Sequence, residues 1–285
     1  MFPSPCRGGR CGRRGTILFL AIGAVAVLSI LALGATSSVM QEMRLARAVT
    51  QTNEAFYATE AACPIARMIL THDDTPMTVT IHDLQPRLVA FGGRTMEITM
   101  RDEQALIPLV LASGEVLARL PGIDGDGALA GNLAEANIQT KEDALSVSGV
   151  TPEIYAKFKD YVTTFSTGGV NINTAEPAIL LVLGMNDELV EKIVAFRAGS
   201  SRGAGPPNDG VLLTPDEIVP RLQAEAGITE KEAEFLGSLV TQGKLCTSSD
   251  FIRVEASLIV GQSKRKCAAA IVHLASSALV AWYEE

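Results

Sequence analysis

Histidine, aromatic side chains and positive charge are scarce in this chain, and each shortage removes a class of function. The three His of the 285 residues, His72, His82 and His273, lie far apart. No HExxH helix, Cys–His pairing, serine elbow or glycine-rich phosphate loop accompanies them. No enzyme activity is therefore expected, and His72-Asp73-Asp74 reads as a hydrophilic turn before it reads as a metal site. Residues 1–40 hold four of the 24 basic groups and no acid, so residues 41–285 carry 20 basic against 32 acidic groups, a net −12. Neutralising phosphate needs clustered Lys and Arg, so nucleic acid is not an expected partner. Aromatics reach only 5%, yet hydrophobic residues reach 47%, enough for a packed core and too many for a disordered chain.

What is present begins with one long apolar run. Arg7, Arg10, Arg13 and Arg14 precede an uncharged stretch from Gly15 to Gln41, strongest over Thr16–Ala35. As a helix it spans about 40 Å at ~1.5 Å per residue, more than the ~30 Å hydrocarbon core requires. Basic residues before the span put the following chain on the outer side of the membrane. A removed secretory signal is the competing account, although such apolar regions usually run for about 7–15 residues and end at a small-residue cut. Helical spacing continues through Ala46, Thr50, Asn53, Tyr57, Ala58 and Ala62, until Pro64 is expected to kink or interrupt it.

Beyond the helix the periodicity changes twice. Residues 76–101 alternate as strands do, first at Met77, Val79 and Ile81, then from Val89 to Met100 with a hairpin or bulge at Gly92-Gly93. Residues 248–285 resume that character: a strand over Phe251–Leu258, a turn from Gly261 to Lys266, a strand over Ala268–Leu274, and a last one over Ala278–Tyr283. The middle, residues 104–243, reads as helical and repeats weakly. Leu145-x-Val147-x-Gly149-Val150-Thr151 recurs 35 residues later as Leu180-x-Val182-x-Gly184-Met185-Asn186. Gly227-Ile228-Thr229 opens a third copy, and Leu120-Pro121-Gly122-Ile123 a degenerate fourth. Each unit reads as a helix ended by glycine, one apolar turn residue, a capping Thr or Asn, and a second helix. In the link Gly168–Ala175, Asn173 or Thr174 is expected to cap the helix that follows, with Pro177 in its first turn.

Two resemblances follow from these motifs. Arg13-Arg14-Gly15 followed by Thr16-Ile17-Leu18-Phe19-Leu20 resembles the type IV pilin-like leader. That likeness implies cleavage after Gly15 by a prepilin peptidase and N-methylation of Thr16. Most such subunits carry a glutamate five residues after the cut; here Leu20 takes its place, as in minor pseudopilin K of type II secretion systems. The stretch Leu145–Thr164 with Gly169–Ala175, and the ending Ala281-Trp282-Tyr283-Glu284, are similar to the same family, whereas residues 104–140 resemble it least. The other resemblance is to the helix-hairpin-helix DNA-binding modules of competence proteins. Asp187 and Glu188 stand where phosphate would approach one turn, and Pro152 lacks an N–H in the other.

The pseudopilin resemblance implies an α+β fold: a pilin-like long N-terminal helix packed on an antiparallel sheet, with a large inserted all-α (SAM-like or helix-hairpin-helix) domain. The boundaries expected are a prepilin leader at 1–15, a transmembrane helix at 16–40, pseudopilin helix and first strands at 41–103, the insert at 104–243 and returning strands at 244–285. It also implies an inner-membrane, single-pass subunit with a periplasmic C-terminal domain, placed at the pseudopilus tip. Implied partners are minor pseudopilins I and J, the major pseudopilin and the prepilin peptidase. A minor pilin of a type IV pilus or competence system, or a membrane-tethered DNA-binding protein, are the alternatives.

Two further sites are candidates. Asp124, Asp126 and Glu135 occupy the first, third and twelfth positions of an EF-hand spacing, although Ala128 fills the fifth. Calcium is therefore a candidate cofactor, with a plain acidic turn as the simpler reading. Cys6 and Cys11 fall in the leader, and Cys63, Cys246 and Cys267 remain. In an oxidising compartment a Cys246–Cys267 bridge between neighbouring strands is one arrangement and free buried thiols the other.

Overall fold

The structure, a computed structural model, describes residues 13–71, 78–91, 93–199, 210–260, 263–276 and 278–284. The leader cysteines Cys6 and Cys11 and the His72-Asp73-Asp74 turn lie outside them. Contacts divide the chain into Met1–Glu54 and Ala55–Glu285. The first helix, α1 (Arg13–Thr71), continues through Pro64, where a kink or an interruption was expected and no interruption occurs. Pro64 is exposed, so the carbonyl left without its N–H partner opens to solvent.

In the first unit every described side chain from Leu18 to Asn53 is exposed, the large apolar ones included. The hydroxyls of Ser29, Thr36, Thr50 and Thr52 each donate to the carbonyl four residues earlier, at 2.7–3.1 Å. For Ser29 and Thr36, which lie within the uncharged stretch, such back-bonding satisfies hydroxyls that have no water in an apolar setting.

The second unit begins with the last turns of α1. Two strands follow, β1 (Arg87–Phe91) and β2 (Arg94–Asp102), joined as a hairpin with Gly93 at φ 77°. Next comes the insert. It holds β3 (Ile107–Pro108), α2 (Gly114–Leu117), α3 (Gly127–Glu135), α4 (Pro152–Phe158), β4 (Val162–Thr163), β5 (Val170–Asn171), α5 (Pro177–Val182) and α6 (Asp187–Arg197). It ends with α7 (Ile218–Arg221), α8 (Glu230–Thr241) and β6 (Leu245–Cys246). The chain then returns through β7 (Phe251–Val260), β8 (Ser263–His273) and β9 (Ala278–Glu284). The five long strands form one antiparallel sheet in the order β1-β2-β7-β8-β9, while β3–β4 and β5–β6 are short parallel pairs.

Each half of this unit has its own core. Ala58, Ala62, Ala66 and Leu70 recur every fourth residue and are buried against one sheet face. That face is Met96, Ile98 and Met100 of β2 with Ile252, Val254, Ala256 and Leu258 of β7, the two-residue period of a pleated strand. Alanine at three of the four stripe positions lets the helix axis lie close to the strands. The insert closes instead around branched residues and aromatic rings, of which Phe158 is fully buried in the same cluster as Leu117, Leu120, Leu133, Ile172 and Leu180.

Two strand expectations are corrected. Residues 78–86 form turns, not a strand containing Val79 and Ile81. Asp83 explains why: its carboxylate accepts from the backbone N–H and hydroxyl of Thr80 at 2.8 and 2.7 Å, a local bond that competes with a ladder. At the other end, Ser263–Lys266 belongs to β8, paired with β7 from Val260↔Ser263 onward, and not to a long turn.

Candidate functional site

Three glycine turns organise the insert. Gly149 and Gly184 take φ of 93° and 97°, the left-handed region in which a Cβ is strained. After Gly149, Thr151 caps α4 by accepting the Ile154 N–H at 3.3 Å. After Gly184, Asn186 caps α6 by accepting the Leu189 N–H at 2.8 Å. The third copy behaves alike: Gly227 has φ 65°, and Thr229 caps α8 while the Glu232 carboxylate accepts the Thr229 N–H at 2.7 Å. Lys192 of α6 then bridges Glu188 and Glu232 at 2.9 and 3.0 Å, tying the second hairpin to the third.

Asn173 and Thr174 do not cap the next helix. The N-cap of α5 is Glu176, without a side-chain bond. Both residues turn inward to a buried polar seam where insert and sheet meet. The Asn173 amide donates to the carbonyls of Leu212 and Thr247 at 2.8 and 2.9 Å and accepts the Leu212 N–H at 3.0 Å. Thr174 donates its hydroxyl to Asp102 Oδ2 at 2.5 Å. Long-range partners outcompete a cap because a buried amide or hydroxyl must find acceptors wherever the fold supplies them.

Asp102, the last residue of β2, is the centre of that seam. Its Oδ2 also accepts from Ser249 Oγ at 2.5 Å and Asn171 Nδ2 at 3.0 Å, and its Oδ1 accepts the Gln104 N–H at 2.9 Å. Next along the chain, buried Glu103 pairs with Arg253 of β7 at 2.8 Å and accepts the Thr163 hydroxyl of β4 at 2.5 Å. Gln104 accepts the Asp250 N–H through its side-chain oxygen. Arg253 in turn lies over the Tyr283 ring of β9, 5.1 Å from its centroid. Three consecutive side chains thus fasten the insert to strands β7 and β9. A further buried cation, Arg197, donates to the carbonyls of Ile172 and Ala175 at 2.9 and 2.7 Å and holds the Asn-Thr-Ala turn from behind. Burial pulls its guanidinium down to about 10.

The seam rests on one close approach. A Cβ at Gly169 would lie 2.6 Å from the Leu245 nitrogen and the Lys244 carbonyl carbon, so only glycine lets β5 reach β6. Sequence reasoning singled out the Asn-Thr-Ala turn but missed Asp102, Glu103, Gln104 and Arg253. Three polar residues ending an alternating strand read as a surface turn, and their partners lie 60 to 150 residues away.

The calcium and disulfide candidates each meet a different local arrangement, closer to the simpler readings of an acidic turn and a free thiol. Asp126 is the N-cap of α3, accepting the N–H groups of Ala128 and Leu129 at 3.0 Å each. Glu135 ends that helix, about 13 Å further along its axis at ~1.5 Å per residue. Asp124 accepts the Gly122 N–H at 3.2 Å. A helix therefore stands where an EF-hand loop would have to curl, and no metal-holding group occurs among the described residues. Cys246 is a free thiol, with Sγ against the carbonyls of Gly169 and Ser248 at 3.1 and 3.3 Å. It sits on a short strand paired with β5, not beside the strand carrying Cys267. Burial first, and then the Asp102 charge, push this thiol up to about 12. The side chain of Cys267 lies outside the described ones.

The remaining candidates fall on α1. Gly15 and Thr16 belong to its first turns, with side chains outside the described ones. Leu20 is 71% exposed, and Phe19, Val27, Leu28 and Leu31 around it are exposed too. The helical stretch Leu18–Leu70, with a mean hydropathy of 2.6 over its most apolar window, is long and apolar enough to cross a membrane.

Comparison with known proteins agrees with this geometry. The family model described as PilX N-terminal matches residues 14–64. A chain in the crystal structure of the GspK-GspI-GspJ complex from the type 2 secretion system of enterotoxigenic Escherichia coli superimposes with a TM-score of 0.59 at 14% identity. The match covers 84% of this chain and 99% of that one. No curated protein matches significantly. The fold is thus the pilin-like α+β architecture of that complex: a long N-terminal helix, an antiparallel sheet and additional helices.

Proposed function

We propose that this chain is a minor pseudopilin of a type II secretion system, anchored in the inner membrane by its N-terminal helix and placed at the tip of the pseudopilus. The observation that carries this reading is the union of two features in one chain. One is a pilin-like helix, apolar up to Gln41, with every described side chain from Leu18 to Asn53 exposed. The other is a sheet whose β2 and β7 are neighbours, although the whole insert separates them in sequence.

Apolar surface on this scale needs lipid or sibling helices, since burial is worth ~25 cal/mol per Å². Leu20 offers no carboxylate to the amino terminus of a neighbour, and an uncompensated charge there would be costly in lipid. A head enlarged by an insert suits a subunit on which no other has to dock. Minor pseudopilins I and J, the major pseudopilin and a prepilin peptidase are the partners this role requires, and the protein acts by assembly without chemistry of its own. The likeness to a chain of the GspK-GspI-GspJ complex supports the choice of partners. A minor pilin of a type IV pilus is the second reading, favoured by the PilX N-terminal match over residues 14–64.

Co-expression of the full chain with the peptidase and with candidate minor subunits tests this. The expected result is a mature polypeptide beginning at N-methylated Thr16 that co-purifies with pseudopilins I and J. A mature chain beginning well beyond Ala35 would overturn the anchored reading. Co-purification with pilus subunits in place of pseudopilins would favour the second.

A further inference from the structure

Past Gln41, α1 mixes two kinds of side chain that gain nothing from each other in water. Met43, Leu45 and Val49 are 50–67% exposed, and among them stand Arg44 and Arg47, exposed as well. Among the described residues neither guanidinium has an ion-pair or hydrogen-bond partner. Three residues apart, the two arginines share one face of the helix, while Glu42 falls on the side opposite Arg44. Arginines beyond the outer end of a span also run against the usual bias, which gathers Lys and Arg at the inner end. Their height is the second observation. The uncharged run from Gly15 to Gln41 separates them from Arg13 and Arg14. Along one continuous helix, Arg14 and Arg44 lie about 45 Å apart at ~1.5 Å per residue. A typical tilt of ~20° reduces that to about 42 Å across the membrane. A bilayer with its head groups measures about 40–45 Å. When Arg14 stands at the inner phosphate layer, Arg44 therefore stands at the outer one. Arg47 lies less than a turn above it, within the reach of a side chain that can bend back to the interface.

We propose that Arg44 and Arg47 form a collar that grips the lipid phosphates of the outer leaflet and fixes the depth at which α1 sits. The planar guanidinium fork matches two phosphate oxygens at once, so it holds a phosphate more firmly than a point charge does. The same head-group layer covers Met43 and Leu45, which water would leave bare. Lipid phosphate is the occupant that fits, because the ligand has to be anionic and has to lie one bilayer thickness from Arg14. A carboxylate on a neighbouring subunit satisfies the first condition and has no reason to satisfy the second. Cleavage after Gly15 removes the inner arginines, so the collar becomes the remaining side-chain grip on the mature helix. A subunit drawn out of the bilayer has to release it. The inference rests on the anchored reading of α1 and not on which secretion or pilus system it serves.

The test uses the full chain, labelled with carbon-13 arginine and reconstituted into mixed phosphatidylcholine and phosphatidylglycerol bilayers. Solid-state NMR measures how far lipid phosphorus-31 dephases the guanidinium carbon signal, in the wild type and in Arg44→Gln/Arg47→Gln. Both side chains are exposed, so the double exchange leaves the fold intact. Leader arginines contribute equally to both samples and cancel in the difference. The collar requires the signal lost in the variant to come from the phosphorus-dephased part, with a loss equal to two residues. A loss confined to the part that phosphorus does not dephase overturns it, because the two arginines then face water or a protein carboxylate. Alkaline extraction of the same bilayers separates the two readings. A wild-type chain released by alkali overturns the anchored reading together with the collar. A chain that resists alkali and shows no phosphate contact at these positions overturns the collar alone.

Discussion

The two stretches of α1 solve opposite problems with the same backbone. From Leu18 to Asn53 the helix exposes Phe19, Leu28, Leu31 and Val49 and buries nothing. From Ala58 to Leu70 it buries one side chain in four and chooses alanine for most of them. Large apolar groups are useful where the partner is soft, as lipid or another helix is. Small ones are required where the partner is a pleated sheet whose residues already fill the gap. Bulk on a helix therefore marks a surface awaiting something, and its absence marks one already packed.

That contrast can be broken at several points. The largest effect should come from the insert. Phe158→Ala empties a fully buried site and should cost ~3–5 kcal/mol of head stability in a denaturant melt. It should leave membrane association untouched. Leu28→Arg should do the reverse, costing roughly 2.5–3.5 kcal/mol of insertion at the helix centre. Alkaline extraction of the full chain from membranes would reveal it, with an unchanged melting curve for the head. Ala62→Leu should cost about 1–3 kcal/mol by overpacking the helix against Met96, Ile98 and Val254. A silent Ala62→Leu would show that helix and sheet are not in tight contact.

Local features were the legible ones. The glycine turns at Gly149, Gly184 and Gly227, and their caps at Thr151, Asn186 and Thr229, depend on bonds spanning three or four residues, so spacing alone exposes them. The strand pairs β1–β2 and β7–β8 announce themselves by alternation for the same reason. Residues 78–86 misled because Val79 and Ile81 alternate as in a strand, while Thr80 and Asp83 quietly bond to each other. Asp124, Asp126 and Glu135 misled because spacing in sequence says nothing once a helix starts between them. The polar seam was illegible in principle. Asp102 and Ser249 are 147 residues apart, and nothing in either neighbourhood announces the other.

The pairing of β2 with β7 has a consequence for biogenesis. Residue 102 leaves the sheet and residue 252 re-enters it directly opposite, in the register Asp102↔Ile252. Bringing those ends together through a floppy loop of that length carries an entropic penalty that grows with the logarithm of the loop. A prefolded insert removes most of that penalty, because the two ends already emerge side by side. The helical module should therefore mature first and act as an oversized hairpin turn. The half-sheet made by β7, β8 and β9 then zips onto β2 last, after the C-terminus has been synthesised.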